Sequence, residues 1–193
     1  MTVVEHEFIL GGQKSGKSRR AEQRAIDWLA ASPGTHRAVL IATAQAYDDE
    51  MQERIVRHQA DRAERVPGMR TIEEPVELAR AIVTQSAPET LVVIDCLTLW
   101  LTNLLMPVRS ETARPVTRTP SAHATMLQIA LREARGPVVL VGNEIGLGVI
   151  PLGRETRAFV DALGRLNQDV AAACSRVTLM AAGLPLSLKA PAA

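Results

Sequence analysis

Short apolar runs and longer amphipathic segments alternate along the chain. The runs at 8–10, 38–42, 91–95 and 138–141 are almost wholly apolar, as is typical of strands covered on both faces of a parallel sheet. A shorter strand is predicted at 69–72, and a final pair at 177–181 and 186–188. The strands are therefore expected to form one mainly parallel sheet.

The segments between these runs carry apolar residues at helical spacing. Helices are predicted from about 18 to 31, 49 to 63, 122 to 134 and 154 to 173, and another opens at Pro75 with Val83 on its inner face. Helices of this length between buried strands indicate βαβ units with helices on both faces of the sheet. The sequence thus predicts an α/β fold.

The stretch at 107–121 contains three prolines and no periodic apolar residues. Such composition is typical of an exposed loop and is not interpreted as a linker between domains. A chain of 193 residues lies within the range of one domain, so a single domain over 1–193 is expected.

Composition narrows the classes of partner. The formal net charge is +1, from 22 basic and 21 acidic residues, which argues against a nucleic-acid-binding surface and favours a small-molecule substrate. Cys96 and Cys174 lie in apolar runs without metal-ligand spacing and are expected in the core. No apolar run approaches the roughly 20 residues that span a bilayer, and no signal peptide opens the chain. A cytoplasmic location is expected.

A glycine-rich segment follows the first predicted strand and precedes the first predicted helix. It matches G-x-x-x-x-G-K-[ST] and reads Gly11-Gly12-Gln13-Lys14-Ser15-Gly16-Lys17-Ser18. Glycines there let backbone N–H groups converge on phosphate oxygens at the positive end of a helix. The sequence therefore predicts a P-loop NTPase-like fold, with Lys17 on the β- and γ-phosphates and Ser18 as a ligand of Mg²⁺.

Asp95 ends an apolar strand and is the predicted second protein group for the nucleotide or its magnesium ion. The alternative is a carboxylate that caps the following helix. Two fragments resemble switch-GTPase motifs, Asp161 to Gly164 and Asn167-Gln168-Asp169. Both fall inside one predicted helix, whereas such motifs belong at strand ends, so they are not assigned to guanine recognition.

Beyond the P-loop, most of the chain resembles one known family. The residues that carry the likeness are Gly11-Gly12, Ser15-Gly16-Lys17-Ser18, Ile41-Ala42-Thr43, Asp48-Asp49-Glu50-Met51, Arg54-Ile55 with His58, Thr102-Asn103-Leu104-Leu105, Asn143-Glu144-Ile145-Gly146 through Ile150-Pro151, Arg157, Phe159, Asp161, Gly164, Asn167-Gln168, Gly183-Leu184-Pro185 and Leu188-Lys189. They resemble the bifunctional adenosylcobinamide kinase and adenosylcobinamide-phosphate guanylyltransferase of cobalamin biosynthesis.

This resemblance implies two reactions. ATP or GTP phosphorylates the aminopropanol hydroxyl of adenosylcobinamide, and GTP then guanylylates a histidine that passes GMP to the cobinamide phosphate. His58 matches that histidine, and its neighbours Arg54, Arg57 and Arg62 are suited to neutralise phosphate charge. The other histidines, at 6, 36 and 123, are expected at the surface.

The resemblance also implies a guanosine side of the site and a trimeric assembly. By position, the guanosine side would comprise Thr43, Ala44, Gln45, Gln59, Ala60, Asp61, Arg62 and Glu73. Glu144 follows a strand and precedes a glycine-rich turn, where ligands of α/β proteins collect, so it is expected to contact cobinamide or position its hydroxyl group. Two other functions stay open from the residues themselves: a P-loop kinase of another small alcohol in which His58 is inert, and a nucleotide-dependent switch or assembly ATPase.

Overall fold

A computed structural model describes residues 4–46, 48–107, 116 and 118–191, apart from the side chain of Arg54. Strands and helices alternate along these residues. They are β1 Glu7–Gly11, α1 Lys17–Ala31, β2 Arg37–Ala42, α2 Asp49–Arg65, β3 Arg70–Glu73, α3 Leu78–Gln85, β4 Thr90–Asp95, α4 Leu97–Leu105, α5 Pro120–Glu133, β5 Val138–Asn143, α6 Arg154–Ala173, β6 Arg176–Ala181 and β7 Leu184–Lys189.

All of these strands belong to one sheet, in the order β3-β2-β4-β5-β1-β6-β7. The pairs from β3 to β6 are parallel, and β7 alone runs antiparallel to its neighbour β6. The prediction of a mainly parallel sheet is confirmed. Because the six parallel strands end on the same side, we call that side the carboxyl edge, and the opposite side the amino edge.

Helices cover both faces of the sheet, as predicted. On one face, Ala21 and Ala25 of α1 pack against Ile9 and Leu40 of the strands. The other face buries residues of the remaining large helices, and its core includes Leu78, Leu97, Leu127 and Leu163. Helix α2 lies on the α1 face, since its Arg65 pairs with Glu22 of α1.

Helix α3 begins later than predicted, at Leu78 rather than Pro75. The Glu74 carboxylate accepts hydrogen bonds from the backbone N–H groups of Val76 and Glu77, at 3.2 and 2.9 Å, and so forms a turn ahead of the helix. Val83, predicted on the inner face, is 57% exposed. Leu78, Ala81 and Ile82 form the buried face of the helix.

Most of the predicted loop at 107–121 lies outside the described residues. Two of its described residues are anchored: Val116 packs against the core, and Arg118 pairs with Glu77 at 3.0 Å. The loop also ends earlier than predicted, because Thr119 caps α5 and Pro120 is already in that helix. The expectation of a stretch without apolar contacts is wrong at Val116.

Two of the three histidines expected at the surface are buried. His6 is 7% exposed and His123 is 3% exposed. The His6 ring accepts the N–H of Val138 at Nδ1 and lies 2.9 Å from the carbonyl of Leu131 at Nε2, which joins β1, β5 and α5. His123 lies edge-on to Trp100. His36 is half-buried and stacks on Trp28, with ring centroids 3.8 Å apart.

Candidate active site at the carboxyl edge of the sheet

The P-loop leaves β1 at the carboxyl edge and enters α1, where two glycines permit its path. Gly16 has φ 101, in the left-handed region, and caps the start of α1. A Cβ atom on Gly11 would lie 2.4 Å from the carbonyl oxygen of Met180. The loop therefore requires glycine at both positions, as the motif predicted.

The hairpin turn between β6 and β7 packs against the P-loop. The N–H of Gly183 donates to the carbonyl of Ser15 at 3.0 Å, and a Cβ on Gly16 would lie 3.3 Å from Cα of Gly183. Sequence reasoning missed this contact. The available signal was the glycine between two short apolar runs, which indicates a hairpin turn but not what the turn contacts.

Lys17 is the first residue of α1 and is 8% exposed. Its Nζ donates to the carbonyl of Gly12 at 2.5 Å. Burial lowers the pKa of Lys17, and the nearby Cys96 and Asp95 oppose that shift. Lys17 is thus a poorly hydrated cation at the positive end of a helix, which is an arrangement suited to triphosphate oxygens.

Thr43 fixes the end of β4 against the end of β2. Its hydroxyl donates to the carbonyl of Cys96 at 2.7 Å and accepts the N–H of Cys96 at 2.9 Å, while its own N–H donates to the carbonyl of Asp95 at 3.2 Å. Thr43 is fully buried, whereas Ala44 and Gln45 after it are half-buried. The side chain of Thr43 therefore stabilises the site from its buried side.

The residues present fit a magnesium ion that arrives with a nucleotide. Ser18 and Asp95 are both half-buried at this edge; Ser18 follows Lys17 in the chain, and Asp95 lies close enough to Lys17 to affect its pKa. The described residues contain no group of three or more His, Cys, Asp or Glu side chains that could hold a metal ion without a substrate. One hydroxyl and one carboxylate are the protein ligands expected for a magnesium ion that takes its other ligands from phosphates and water.

Asn143 and Glu144 continue β5 between the P-loop strand and the strand of Asp95. The N–H of Glu144 donates to the carbonyl of Gly11 at 3.2 Å, and its Oε1 accepts the N–H of Gly146 at 2.7 Å. The N–H of Asn143 donates to the hydroxyl of Thr98, and Asn167 donates to the Asn143 carbonyl. These contacts hold a half-buried carboxylate beside the P-loop.

Two contacts fix the position of α2 along the direction of the strands. Gln59 donates to the Glu73 carboxylate at 3.3 Å, and Glu73 ends β3 at the carboxyl edge. Arg65 donates to Glu22 at 3.0 Å and to Asp61 at 2.9 Å. Sequence reasoning predicted neither the Glu22 to Arg65 pair nor its effect, because the two residues are far apart in the chain.

The contact between Arg65 and Glu22 relates the position of His58 on α2 to that of Lys17 on α1. Both α1 and α2 run from the carboxyl edge toward the amino edge, since each follows a parallel strand. Lys17 precedes Glu22 by five residues, a rise of about 7.5 Å, and His58 precedes Arg65 by seven, a rise of about 10.5 Å. The contact between Arg65 and Glu22 therefore lies about 7.5 Å from Lys17 along α1 and about 10.5 Å from His58 along α2.

The other residues assigned to the guanosine side differ in exposure. His58 and Ala60 are exposed, and Gln59 and Asp61 are half-buried. Arg62 is buried, at 8% exposure. Arg57 is exposed, and the side chain of Arg54 lies outside the described part of the chain. The exposed face of α2 thus presents His58 to solvent.

A family model described as cobinamide kinase / cobinamide phosphate guanyltransferase matches residues 7–188. The chain belongs to this family. It is 45% identical to the bifunctional adenosylcobalamin biosynthesis protein CobP of Pseudomonas aeruginosa over 187 residues, which cover 95% of this chain and 96% of that protein. It is 34% identical to the bifunctional adenosylcobalamin biosynthesis protein CobU of Escherichia coli over 188 residues, covering 94% and 98%.

Among solved structures, this member of the family is similar to the flagellar accessory protein FlaH from Methanocaldococcus jannaschii. The TM-score is 0.50 at 10% identity, and the match covers 97% of this chain and 79% of that one. At this identity the likeness concerns the fold alone.

The fragments that resemble switch-GTPase motifs lie within α6, as predicted, and no strand ends there.

Proposed function

We propose that this protein phosphorylates adenosylcobinamide with ATP or GTP and then transfers GMP from GTP to the resulting phosphate, which gives adenosyl-GDP-cobinamide. The observation that carries the proposal is the family match, which extends over residues 7–188 and therefore includes the P-loop, α2 and the strand ends around them. The two full-length relatives support it, since both are named bifunctional adenosylcobalamin biosynthesis proteins.

In the kinase step, the hydroxyl oxygen of adenosylcobinamide attacks the γ-phosphorus, and the bond to the β-phosphate oxygen breaks to release a nucleoside diphosphate. Lys17 and the P-loop N–H groups neutralise the charge that builds on the phosphate oxygens. Ser18 and Asp95 would hold Mg²⁺, which supplies further charge neutralisation when bound. The low exposure of Lys17 strengthens its attraction to the triphosphate, because little water competes for it.

In the guanylyl step, a ring nitrogen of His58 attacks the α-phosphorus of GTP and pyrophosphate leaves. A phosphate oxygen of the cobinamide phosphate then attacks the same phosphorus, and the bond to His58 breaks. Support comes from the exposure of His58 and from the contact between Arg65 and Glu22, which joins the helix of His58 to that of Lys17. Arg57, on the same exposed helix, is suited to neutralise the transferring phosphate.

The guanosine side of the site would lie between α2 and the ends of β2 and β3. The hydrogen bond between Gln59 and Glu73 brings two of the proposed residues together. Ala44 and Gln45 lie at the end of β2, in the same region. Thr43 would act through the position of Asp95, because its hydroxyl is bonded to Cys96 and its N–H to the carbonyl of Asp95.

We also propose a single catalytic domain that works in the cytoplasm as a trimer. One sheet that includes every described strand supports the single domain. Among the described residues, no helix combines the length and apolarity that crossing a membrane requires. Leu184, Leu186 and Leu188 at alternate positions of β7 are 71%, 57% and 56% exposed, which supports an assembly that covers this edge strand.

The proposal is tested with GTP labelled at the α-phosphate or the γ-phosphate. The wild-type protein should acquire label from the α-phosphate alone, in a bond that resists alkali and breaks in acid. His58→Asn should abolish labelling and guanylyl transfer while leaving phosphorylation of adenosylcobinamide largely intact. His36→Asn is the matched control, because His36 lies near the start of β2 and should label as the wild type does.

The same experiment separates the remaining alternatives. A kinase of another small alcohol would leave no GMP on the protein and would not phosphorylate adenosylcobinamide. A switch or assembly ATPase would hydrolyse nucleotide without stoichiometric formation of a cobinamide product. Equal labelling of His58→Asn and wild type would move the nucleophile to another side chain.

A further inference from the structure

The connection between β5 and α6 exposes an unusual number of apolar side chains. Ile145, Leu147, Val149, Ile150 and Leu152 are 40%, 81%, 96%, 76% and 97% exposed, and we call these five residues the apolar loop. Exposed aliphatic residues this close together mark a binding surface more often than a random part of a surface. Within the described residues, nothing packs over Val149 or Leu152.

Both ends of the connection are held in place. At its start, the N–H of Glu144 is bonded to the carbonyl of Gly11. At its end, Arg157 donates to the carbonyl of Pro151 at 2.9 Å and to that of Leu152 at 2.5 Å. The apolar loop is therefore a surface with fixed ends whose exposed side chains stand at the carboxyl edge of the sheet.

The start of the connection also places a carboxylate beside the phosphate site. Oε1 of Glu144 is fixed by the N–H of Gly146, at 2.7 Å, and β5 lies between the strands of Gly11 and Asp95. A hydroxyl group that attacks a γ-phosphate on the P-loop approaches from this edge. Glu144 therefore combines a backbone contact with the strand that leads into the P-loop and direct continuity with the apolar loop.

We propose that the apolar loop binds the corrin ring of adenosylcobinamide and that Glu144 accepts the proton of the substrate's hydroxyl group during phosphorylation. This inference rests on the proposed function. The faces of a corrin ring, inside its rim of amide side chains, are broad and apolar, so they match a run of exposed aliphatic side chains better than they match the polar P-loop. As the oxygen bonds to the γ-phosphorus, its proton passes to the Glu144 carboxylate, and the nucleoside diphosphate departs.

The corrin-binding part is tested with Val149→Ser and Leu152→Ser, alone and together. Adenosylcobinamide absorbs visible light, so its Kd can be measured by equilibrium dialysis without nucleotide. The double variant should raise that Kd and the corrinoid KM by about tenfold, since each lost aliphatic contact weakens binding severalfold. The KM for GTP should not change.

Val83→Ser is the matched control, because Val83 is also an exposed valine, at 57%, but lies in the second half of α3, toward the amino edge. It should leave the corrinoid Kd unchanged. An unchanged Kd in the double variant would overturn the assignment of the apolar loop. If the double variant with an unchanged Kd also sedimented with a lower mass than wild type, the loop would instead be assigned to contact with a second copy of the chain.

The proton-acceptor part is tested with Glu144→Gln, whose amide oxygen can still accept the N–H of Gly146. The kcat of phosphorylation should fall by about 100-fold, while the corrinoid Kd stays within twofold of wild type. An undiminished kcat would overturn this role. Absence of adenosylcobinamide turnover in the wild type would instead reject the proposed function itself, so the two failures are distinguishable.

Discussion

Lys17 shows how the P-loop prepares a charge for its ligand. Its ammonium group is largely removed from water, and the Gly12 carbonyl and the nearby Asp95 are its polar surroundings. Burial of a cation is unfavourable unless an anion compensates, and burial accordingly lowers the pKa of Lys17. A bound triphosphate supplies that compensation, so the site gains electrostatic stabilisation when it is filled.

We expect Lys17→Ala to lower both half-reactions by at least ~100-fold, because the same cation serves the triphosphate in each. The measurement is steady-state kinetics of phosphorylation and of guanylyl transfer, with folding checked by circular dichroism. Lys189→Ala is the control, since Lys189 also donates to backbone carbonyls but does so at the end of β7. Wild-type turnover in either half-reaction of Lys17→Ala would remove the lysine from that step.

His6 is a buried histidine that must be neutral to make its contacts. Nδ1 accepts the N–H of Val138, so the remaining proton is on Nε2 and points to the carbonyl of Leu131. Burial lowers the pKa of His6 below its ordinary value of 6.5, although the hydrogen bond to Leu131 opposes this. In the unfolded chain the ring regains the ordinary pKa, so the two states take up a proton at different pH values.

We therefore expect the free energy of unfolding to decrease as the pH falls below about 6.5, toward the lowered pKa of His6. Within that window, protonation of His6 lowers the free energy of unfolding by at most about 1.4 kcal/mol for each pH unit. Urea unfolding of wild type and His6→Gln between pH 5 and 8 measures the effect, and the variant should show the shallower slope. His123 is present in both proteins, so its contribution to the slope cancels in the comparison. Equal slopes would contradict the role of His6.

Helix α2 carries the proposed nucleophile, and its contacts with the body of the protein are polar. Arg65 joins Glu22, which is 6% exposed, and Gln59 joins Glu73. Because Glu22 and Lys17 share α1, the Arg65 pair links the position of His58 to that of the phosphate site. We therefore propose that Arg65 positions His58.

We expect Arg65→Met to lower guanylyl transfer by about tenfold and phosphorylation by less than twofold, because an orientation error affects the step that His58 performs. Comparison of labelling by α-labelled GTP with the rate of phosphorylation measures this split. Arg65→Lys should restore part of the loss, since it keeps the charge opposite Glu22. The control is Arg132→Met, an exposed arginine in the last turn of α5. Equal losses in both half-reactions would point to general destabilisation.

The strands and the P-loop could be predicted from sequence because each depends on local pattern. Buried strands read as apolar runs, and the P-loop needs glycine where the backbone is left-handed or closely packed. The start of α3 was misplaced because the Glu74 turn depends on specific hydrogen bonds. The contacts of Gly183 with Ser15 and of Arg65 with Glu22 join distant parts of the chain, which no spacing predicts.

The order of the strands gathers the proposed site residues on one edge of the sheet. The ends of β1, β2, β4 and β5 bring together the P-loop, Gln45, Asp95 and Glu144, although they are distant in sequence. The amino edge instead carries a cleft of about 510 Å³ lined by Trp28, Arg24 and Arg135 among others. That cleft lies at the opposite end of the sheet from Lys17, so the proposed chemistry does not use it.

The sheet remains open at β7, and this edge strand provides the test of the assembly. Its unpaired backbone and its exposed leucines at 184, 186 and 188 would favour uncontrolled pairing in an isolated chain. If the trimer covers this surface, Leu186→Asp places a charge in the interface, and the wild-type mass of three 20.9 kDa chains should fall to that of one. Sedimentation equilibrium measures the mass, and Val83→Asp, an equally exposed apolar residue on α3, should remain trimeric. An intact trimer in Leu186→Asp would exclude β7 from the interface, and a monomeric wild type would reject the trimer.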